Sequence, residues 1–430
     1  MMFAGYSGYY LCRSDFSVAL PLISADLAAK GIAADVARIR LGSIASIGVL
    51  AYAIGKFPSG STADFFGGKR NFLTGMIGSV LFTLLFAIGG GVPIFTLAWF
   101  GNRLIQSQGW AGMVKITSRW FSFSSYGTVM GVISLSYLFG DAVSRQFMGM
   151  LIDRGLGWRQ LFFVAAGILL VLFAASTLLI KESPLEIGEQ EPRSNPLCLF
   201  GERGDAPSPP SLTALFAPFL KSKTFWLVCL LSLGTTLVRE TFNLWTPTYF
   251  VDVVGMTKAA AAAKSAVFPL VGGFSVLIVG FLSDKLGRAA RAAIILAGLL
   301  LSAMALFGLA LGDFRGSALI PVLLVGAVAF LVIGPYAYLG GAIALDFGGK
   351  QGSATASGLI DGVGYLAGVL AGLSVAQVSV RYGWRGAFIA LGCCTLITSI
   401  AAAAYLVQQV RALQLQETAP AGDTTGALYG

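Results

Sequence analysis

The feature that most constrains this chain is the regular return of apolar runs of about 20 residues. Each run is long enough for one helix to cross about 30 Å of hydrocarbon. The pattern predicts an all-α membrane protein with about twelve transmembrane helices. The predicted spans lie near residues 2–23, 40–62, 71–90, 93–116, 128–150, 159–180, 224–248, 262–283, 290–311, 317–342, 354–378 and 385–408.

Composition agrees with a membrane protein and argues against an enzyme. Hydrophobic residues make up 56% of the chain and charged residues only 11%, whereas soluble proteins carry roughly 25% charged residues. Histidine, the commonest catalytic base at neutral pH and a frequent metal ligand, is absent. The five cysteines form no CxxC pair, so we expect free thiols, no metal site and no cofactor.

The polar stretches divide the chain into four parts. Residues 1–181 are expected to form an N-terminal six-helix bundle, and residues 224–410 a C-terminal one. Residues 182–223 form a polar, proline-containing linker that we expect to be mobile and cytoplasmic. Residues 411–430 form a cytoplasmic tail. A small excess of Lys and Arg on the side of the linker places both termini in the cytoplasm, and we expect a bacterial inner membrane.

The two halves repeat each other in sequence. Residues 157–162 read Gly-Trp-Arg-Gln-Leu-Phe, and residues 383–388 read Gly-Trp-Arg-Gly-Ala-Phe. An arginine within the first apolar run, Arg13, returns at the same offset as Arg239 in the first run of the second half. Parallel repeats of this kind place a substrate site between two pseudo-symmetric bundles, near the middle of the membrane.

A loop motif also occurs in both halves. Gly60-x-x-x-Asp64 returns as Gly280-x-x-x-Asp284, followed by Arg288. This sequence resembles the loop signature of the major facilitator superfamily, and the resemblance extends over nearly the whole chain. It implies that Gly60, Asp64, Asp284 and Arg288 act as a conformational latch rather than as substrate ligands.

Charged residues within the apolar runs are the best candidates for a site, because each costs roughly 2.5–3.5 kcal/mol at mid-membrane. Arg13 and Arg239 lie half-way along the first helix of their halves. Tyr6 and Tyr10 share a helical face with Arg13, and Asn243 shares one with Arg239. Two guanidinium groups facing each other would bind a tetrahedral dianion bidentately. Alternatively, each arginine only pairs with an acid on a neighbouring helix.

Several segments together resemble the organophosphate:inorganic phosphate antiporters of the superfamily, which include the glycerol-3-phosphate and hexose-phosphate transporters. The resemblance implies that Arg13 and Arg239 bind phosphate and that Lys56 assists. The segments matching the first, second, fourth, seventh, tenth and eleventh helices of that family lie within residues 9–21, 55–60, 106–122, 237–249, 334–335 and 364–368.

The chain also departs from that family. Gly140 stands where bacterial members often carry a histidine, and it is followed by Asp141 and Arg145 at helical i, i+4 spacing. This pair is either an intrahelical salt bridge or part of the coupling machinery. Asp361, on one helical face with Tyr365, is either a counter-ion for a basic residue or a proton-coupling carboxylate.

The remaining polar residues have less specific signals. Asp15 and Glu240 follow the two central arginines, but ideal helices point them to other faces, so we expect them to pair elsewhere. Lys115 lies near a membrane surface and can snorkel towards it. Further candidates are Trp110, Gln106 and Tyr365 for substrate binding, and Arg103 for coupling or an ion pair.

We therefore expect a secondary active transporter that exchanges a phosphorylated organic anion for inorganic phosphate. Two alternatives stay open: a proton-coupled symporter of carboxylates, and a transporter-like sensor of sugar phosphates. The expected partners are a small anionic substrate, inorganic phosphate or protons, and the lipid bilayer. We expect no nucleic acid and a monomer.

Overall fold

A computed structural model of the chain describes residues 1–122, 126–192, 198–200, 209–312, 314 and 318–418. Within helices, the side chains of residues 126–128, 280–281, 283–289, 412–413 and 415–418 are outside the description. The described residues form thirteen α-helices, two short 3-10 helices and their connections, and none of them lies in a strand.

The helices follow one another with short connections, except for the linker at residues 182–223. The 3-10 helices are Pro184–Ile187 and Val369–Ala371. The α-helices are α1 Met2–Ala29, α2 Ala34–Phe66, α3 Gly68–Ile88, α4 Val92–Trp120, α5 Tyr126–Asp153, α6 Trp158–Leu179, α7 Leu212–Lys221, α8 Lys223–Asp252, α9 Lys258–Lys264, α10 Val267–Leu311, α11 Leu319–Leu339, α12 Ala342–Gly368 and α13 Leu373–Thr418.

The predicted spans coincide with helical residues over most of their length. Seven segments of the described chain are long and apolar enough to cross a membrane, and one of them, 319–411, contains three predicted spans. Helices α1, α4 and α5 do not reach this threshold. These three helices carry buried charges, such as Arg13, Arg103 and Arg145, which lie at the interface between the halves.

The segment α10 contains two predicted spans and folds back on itself as a helical hairpin. Val267 and Val271 pack against Gly326 of α11, and Leu324 of the same helix packs against Gly308. Both ends of α10 therefore lie beside the same part of α11. Ile333 and Leu331, further along α11, contact Gly272 and Gly298. The two halves of α10 thus run in opposite directions along α11, as two separate spans would.

A second reversal occurs inside α13 at Gly383, whose φ of 69° and ψ of 179° are outside the range of residues with a Cβ. Before the reversal, Ala371 accepts a hydrogen bond from the indole of Trp245. After it, Trp384 packs against Trp245 and Tyr249. The glycine lets the chain fold back along α8 without a longer loop.

The two halves meet along α2 and α12, where small residues allow the backbones to approach. A Cβ on Gly60 would lie 2.5 Å from the carbonyl oxygen of Ala354, and one on Gly42 would lie 3.0 Å from that of Gly372. Such contacts are typical of helices packed in lipid, where dispersion replaces the hydrophobic effect. The contacts lie near opposite ends of α2, so this helix contacts the second half along most of its length.

Parts of the linker pack against the helical bundles. Helix α7 buries Leu215 and Phe219, and Phe219 packs against Phe225 of α8. At its start, the carboxylate of Glu182 accepts hydrogen bonds from the first two amides of α3, at 2.8 and 2.6 Å. A carboxylate at a helix N-terminus is favourable. Helix α7 of the linker, a segment expected to be mobile, therefore packs against the second half.

Replacing Gly383 by alanine tests the reversal in α13. We expect a loss of about 1–3 kcal/mol, because alanine does not readily adopt this backbone conformation. Thermal unfolding in detergent should show a lower midpoint for Gly383→Ala than for the native chain. Gly167→Ala, on the exposed face of α6 with no atoms near its added Cβ, is the matched control. Equal midpoints for the Gly383 variant and the native chain would contradict this account.

Candidate functional site

Two adjoining cavities lie between the halves. Tyr10 lines both of them. Five cationic and three carboxylate side chains line the two cavities, a formal excess of two positive charges. These residues are Arg13, Lys56, Arg103, Arg145, Arg239, Asp141, Glu240 and Asp361.

Arg13 is presented by a local break in α1. Cys12 has non-helical backbone angles, with φ of −85° and ψ of 17°. Its carbonyl oxygen accepts a hydrogen bond of 3.0 Å from the Gln106 side chain, and the amide of Phe16 donates to Asp15 at 2.6 Å. Two side chains thus satisfy backbone groups at the break, which a membrane interior requires.

The two central arginines converge on one hydroxyl group. Arg13 donates to the Tyr365 oxygen at 2.9 Å, and Arg239 donates to the same oxygen at 2.7 Å. Arg239 also donates to Tyr336 at 3.2 Å and to Tyr10 at 3.3 Å. The structure therefore brings together two guanidinium groups from opposite halves, as the repeat predicted.

Lys56 and Asp361 form a buried ion pair across the interface between α2 and α12. Their Nζ and Oδ2 atoms are 2.8 Å apart, and both side chains are almost fully buried. Lys56 also lies over the ring of Tyr52, 5.1 Å from its centre. Of the two interpretations of Asp361, the counter-ion is the one that this geometry favours.

Glu240 lies among the arginines and does not pair elsewhere, so the expectation for this residue was wrong. Its Oε1 is 3.1 Å from Arg239 and 3.5 Å from Arg13, and its Oε2 is 3.7 Å from Arg103. Helical geometry separates neighbouring residues by about 100°, but two long side chains can still meet in one cavity. Asp15 was also expected to pair elsewhere, but its Oδ1 accepts from the adjacent Phe16 amide at 2.6 Å, and its buried Oδ2 has no hydrogen-bond partner among the described residues.

Tyr52 is the ring on which the cations of the first half meet. The guanidinium carbons of Arg13 and Arg103 lie 4.7 and 4.6 Å from its centre. Cation–π contacts of this length stabilise charges away from water. Sequence reasoning missed Tyr52, although its position four residues before Lys56 places both on one helical face.

Of the other predicted binding residues, some line the cavities and one lies behind them. Tyr6 and Trp110 line the smaller cavity, and the Trp110 indole donates to Ser357 at 3.1 Å. Asn243 lines the larger cavity. Gln106 lines neither cavity, because its amide is engaged with Cys12 and with Arg103; it supports the site from behind.

Asp141 and Arg145 form an intrahelical salt bridge, one of the two interpretations of this pair, with 2.9 Å between their charged groups. Ser14 donates a hydrogen bond to Asp141. Arg145 also reaches the second half, donating to the Asn243 carbonyl at 2.8 Å and to the Ser265 hydroxyl at 3.1 Å. This pair therefore holds α5 against α8 at one end of the larger cavity.

The halves touch on both sides of the cavities. On the side of the linker, here called the linker face, Asp64 lies 3.2 Å from Lys115 and accepts two hydrogen bonds from Thr355. On the opposite side, the far face, Arg38 and Asp252 are 2.5 Å apart. The conformation is thus closed at both faces.

The contacts of the predicted latch residues can be described for Gly60 and Asp64. Gly60 and Asp64 contact α12, which fits a latch between the halves. Lys115 is buried against Asp64 and the carbonyl of Lys350, so it does not snorkel. The side chains of Asp284 and Arg288 lie outside the described residues.

A double-mutant cycle tests the Lys56–Asp361 pair. Lys56→Met or Asp361→Leu alone leaves one buried charge unpaired, which should cost about 3–5 kcal/mol. The double variant replaces the pair with two apolar side chains and should recover most of that loss. Thermal unfolding of the four proteins in detergent measures the coupling. Losses that simply add would contradict a buried pair.

The sequence matches the Major Facilitator Superfamily over residues 2–372. It is 28% identical to a probable hexose phosphate transport protein of Chlamydia muridarum, covering 92% of this chain and 87% of that protein. Identity is 25% to the glycerol-3-phosphate transporter of Bacillus subtilis, with 91% and 87% covered. It is 24% to the membrane sensor protein UhpC of Escherichia coli, with 92% and 88% covered.

The fold is also similar to solved structures. The MFS proton:xylose symporter XylE superposes with a TM-score of 0.67 over 93% of this chain and 94% of that one, at 13% sequence identity. At this identity the likeness concerns the fold alone. The family match covers most of the chain, from the first helix to the end of the second 3-10 helix, and the chain therefore belongs to the Major Facilitator Superfamily, a family of transporters and not of enzymes.

Proposed function

We propose that the protein is a secondary active transporter of a phosphorylated organic anion, which it exchanges for inorganic phosphate. The observation that carries this proposal is the meeting of Arg13 and Arg239, from opposite halves, at the hydroxyl of Tyr365. Each guanidinium offers a planar set of donors that matches two oxygens of a phosphate group. One phosphate could therefore contact both halves at once.

Charge supports the same class of substrate. The side chains that line the cavities carry two positive charges in excess. A phosphate monoester carries about −1.5 to −2 near pH 7. A dianion would therefore balance the lining, whereas a monocarboxylate would leave one positive charge over.

The relatives support a phosphorylated substrate as well. Two of them are named for transport of hexose phosphate and of glycerol 3-phosphate. Their names apply to those proteins, and they extend along more than nine-tenths of this chain. The proposal carries the substrate class over to this chain, without choosing between the two esters.

Transport would proceed by alternating access. We place the moving units at residues 1–181 and 224–410, joined by the linker 182–223, with the tail at 411–430. The contacts at Asp64 and at Arg38 would open in turn, exposing the cavities first to one side and then to the other. We further propose that the linker face and both termini are cytoplasmic, in a bacterial inner membrane, and that one chain suffices.

A sensor is the second candidate, because the chain is also similar to the membrane sensor protein UhpC. A sensor would use the same arginines to bind a phosphate ester without carrying it across. Proton-coupled symport has less support, since Asp361 and Asp141, its candidate proton carriers, are engaged with Lys56 and Arg145.

Counterflow in proteoliposomes separates these candidates. Vesicles loaded with inorganic phosphate should take up labelled glucose 6-phosphate or glycerol 3-phosphate without a pH gradient, several-fold faster than vesicles loaded with chloride. Protein-free vesicles are the control. Binding of the ester without uptake would indicate a sensor. Uptake of a carboxylate that requires a pH gradient would indicate symport and contradict the proposal.

A further inference from the structure

Glu240 is placed where an anionic substrate would be expected to lie. Its two carboxylate oxygens are within 3.7 Å of the guanidinium groups of Arg13, Arg103 and Arg239. It also lines the larger cavity together with Arg13 and Arg103. Among the described residues, no other carboxylate is in ion-pair contact with these three arginines.

These contacts cross the interface between the halves. Arg13 on α1 and Arg103 on α4 belong to the first half, and Glu240 on α8 belongs to the second. The carboxylate therefore gives an attractive link between two surfaces that would otherwise face each other with cations. The Lys56–Asp361 pair is separate from this cluster, because Asp361 forms its ion pair with Lys56 and Glu240 forms its ion pairs with the arginines.

We propose that Glu240 is a built-in counter-anion, which occupies part of the phosphate subsite and lets the carrier change conformation without substrate. This inference rests on the proposed function, because it takes the displacing ligand to be a phosphate group. It adds an activity to that function: net, one-way movement of phosphate or its esters in addition to exchange.

The reason is electrostatic. Without the Glu240 carboxylate, the cavity lining would carry three positive charges in excess instead of two. Like charges repel strongly in a site shielded from water. Bringing the halves together would then require a bound anion, and only exchange would be possible. With Glu240 present, the protein itself supplies part of that negative charge, so the halves can close without a bound substrate.

The same carboxylate competes with substrate. A phosphate oxygen and a Glu240 oxygen would accept hydrogen bonds from the same guanidinium donors, whose number is fixed at five for each arginine. Phosphate would displace Glu240 where the two compete for the same donor atoms, Nη2 of Arg13 and Nη1 of Arg239. The competition lowers the affinity for phosphate and speeds its release, which favours turnover over tight binding.

Efflux of labelled inorganic phosphate tests the proposal. Proteoliposomes loaded with labelled phosphate are diluted into buffer with or without external phosphate. The native protein should release label into phosphate-free buffer, faster than protein-free vesicles do. Glu240→Gln should reduce this one-way efflux about tenfold or more relative to the rate at which the same variant exchanges phosphate against external phosphate. Glu240→Asp, which keeps the charge on a shorter side chain, should lie between them.

Binding gives an independent readout. The dissociation constant for inorganic phosphate, measured with the detergent-solubilised protein, should fall in Glu240→Gln because the competitor is removed. Asp26→Asn is the matched control, since Asp26 pairs with Lys30 at an exposed position outside the site. It should change neither efflux nor binding.

The outcomes separate the inference from the proposed function. Native protein that exchanges phosphate but shows no one-way efflux overturns the inference alone, and this result needs no variant. Efflux that is unchanged in Glu240→Gln, or weaker phosphate binding by that variant, also overturns it. Native protein that neither binds nor exchanges phosphate overturns the proposed function, and the inference with it.

Discussion

The structure depends on how it accommodates charged side chains away from water. Each charge at mid-membrane costs roughly 2.5–3.5 kcal/mol if it faces lipid, and this chain carries several in its apolar helices. The structure places them between the halves, in contact with one another: Lys56 with Asp361, Asp141 with Arg145, and Glu240 with the arginines. The positions of these pairs decide which helix faces lie at the interface and where the cavities lie.

The excess of positive charge that remains is what connects fold to function. Pairing accounts for most charges, but the arginines outnumber the carboxylates around Tyr365, and their donors point into a shared space. An anion that contacts both Arg13 and Arg239 would join the halves, and its release would free them. Because the halves touch at both faces, at Asp64 and at Arg38, a change in the centre can shift the balance between the two sets of contacts.

Much of this was predictable from sequence, because the signals were local or repeated. Run length predicted the helices, and the shared offset of Arg13 and Arg239 predicted that they face each other. The predictions that were wrong depend on contacts between side chains of different helices, and the spacing of residues along the sequence does not determine these contacts. Glu240 was expected to pair elsewhere because an ideal helix turns it away from Arg239, yet both side chains are long enough to meet in a cavity. Gln106 was expected in the binding site, but its side-chain amide donates a hydrogen bond to the carbonyl oxygen of Cys12. No sequence motif predicts the break in α1 that exposes this carbonyl.

The central claim is that Arg13 and Arg239 together hold one phosphate group, and phosphate binding to conservative variants tests it most directly. Calorimetric titration of inorganic phosphate into Arg13→Lys and Arg239→Lys should show affinity about tenfold or more below that of the native protein, since lysine keeps the charge but loses the bidentate geometry. Arg159→Lys, at a residue that stacks on Trp158 away from the cavities, should bind as the native protein does. Native affinity in either central variant would contradict the claim.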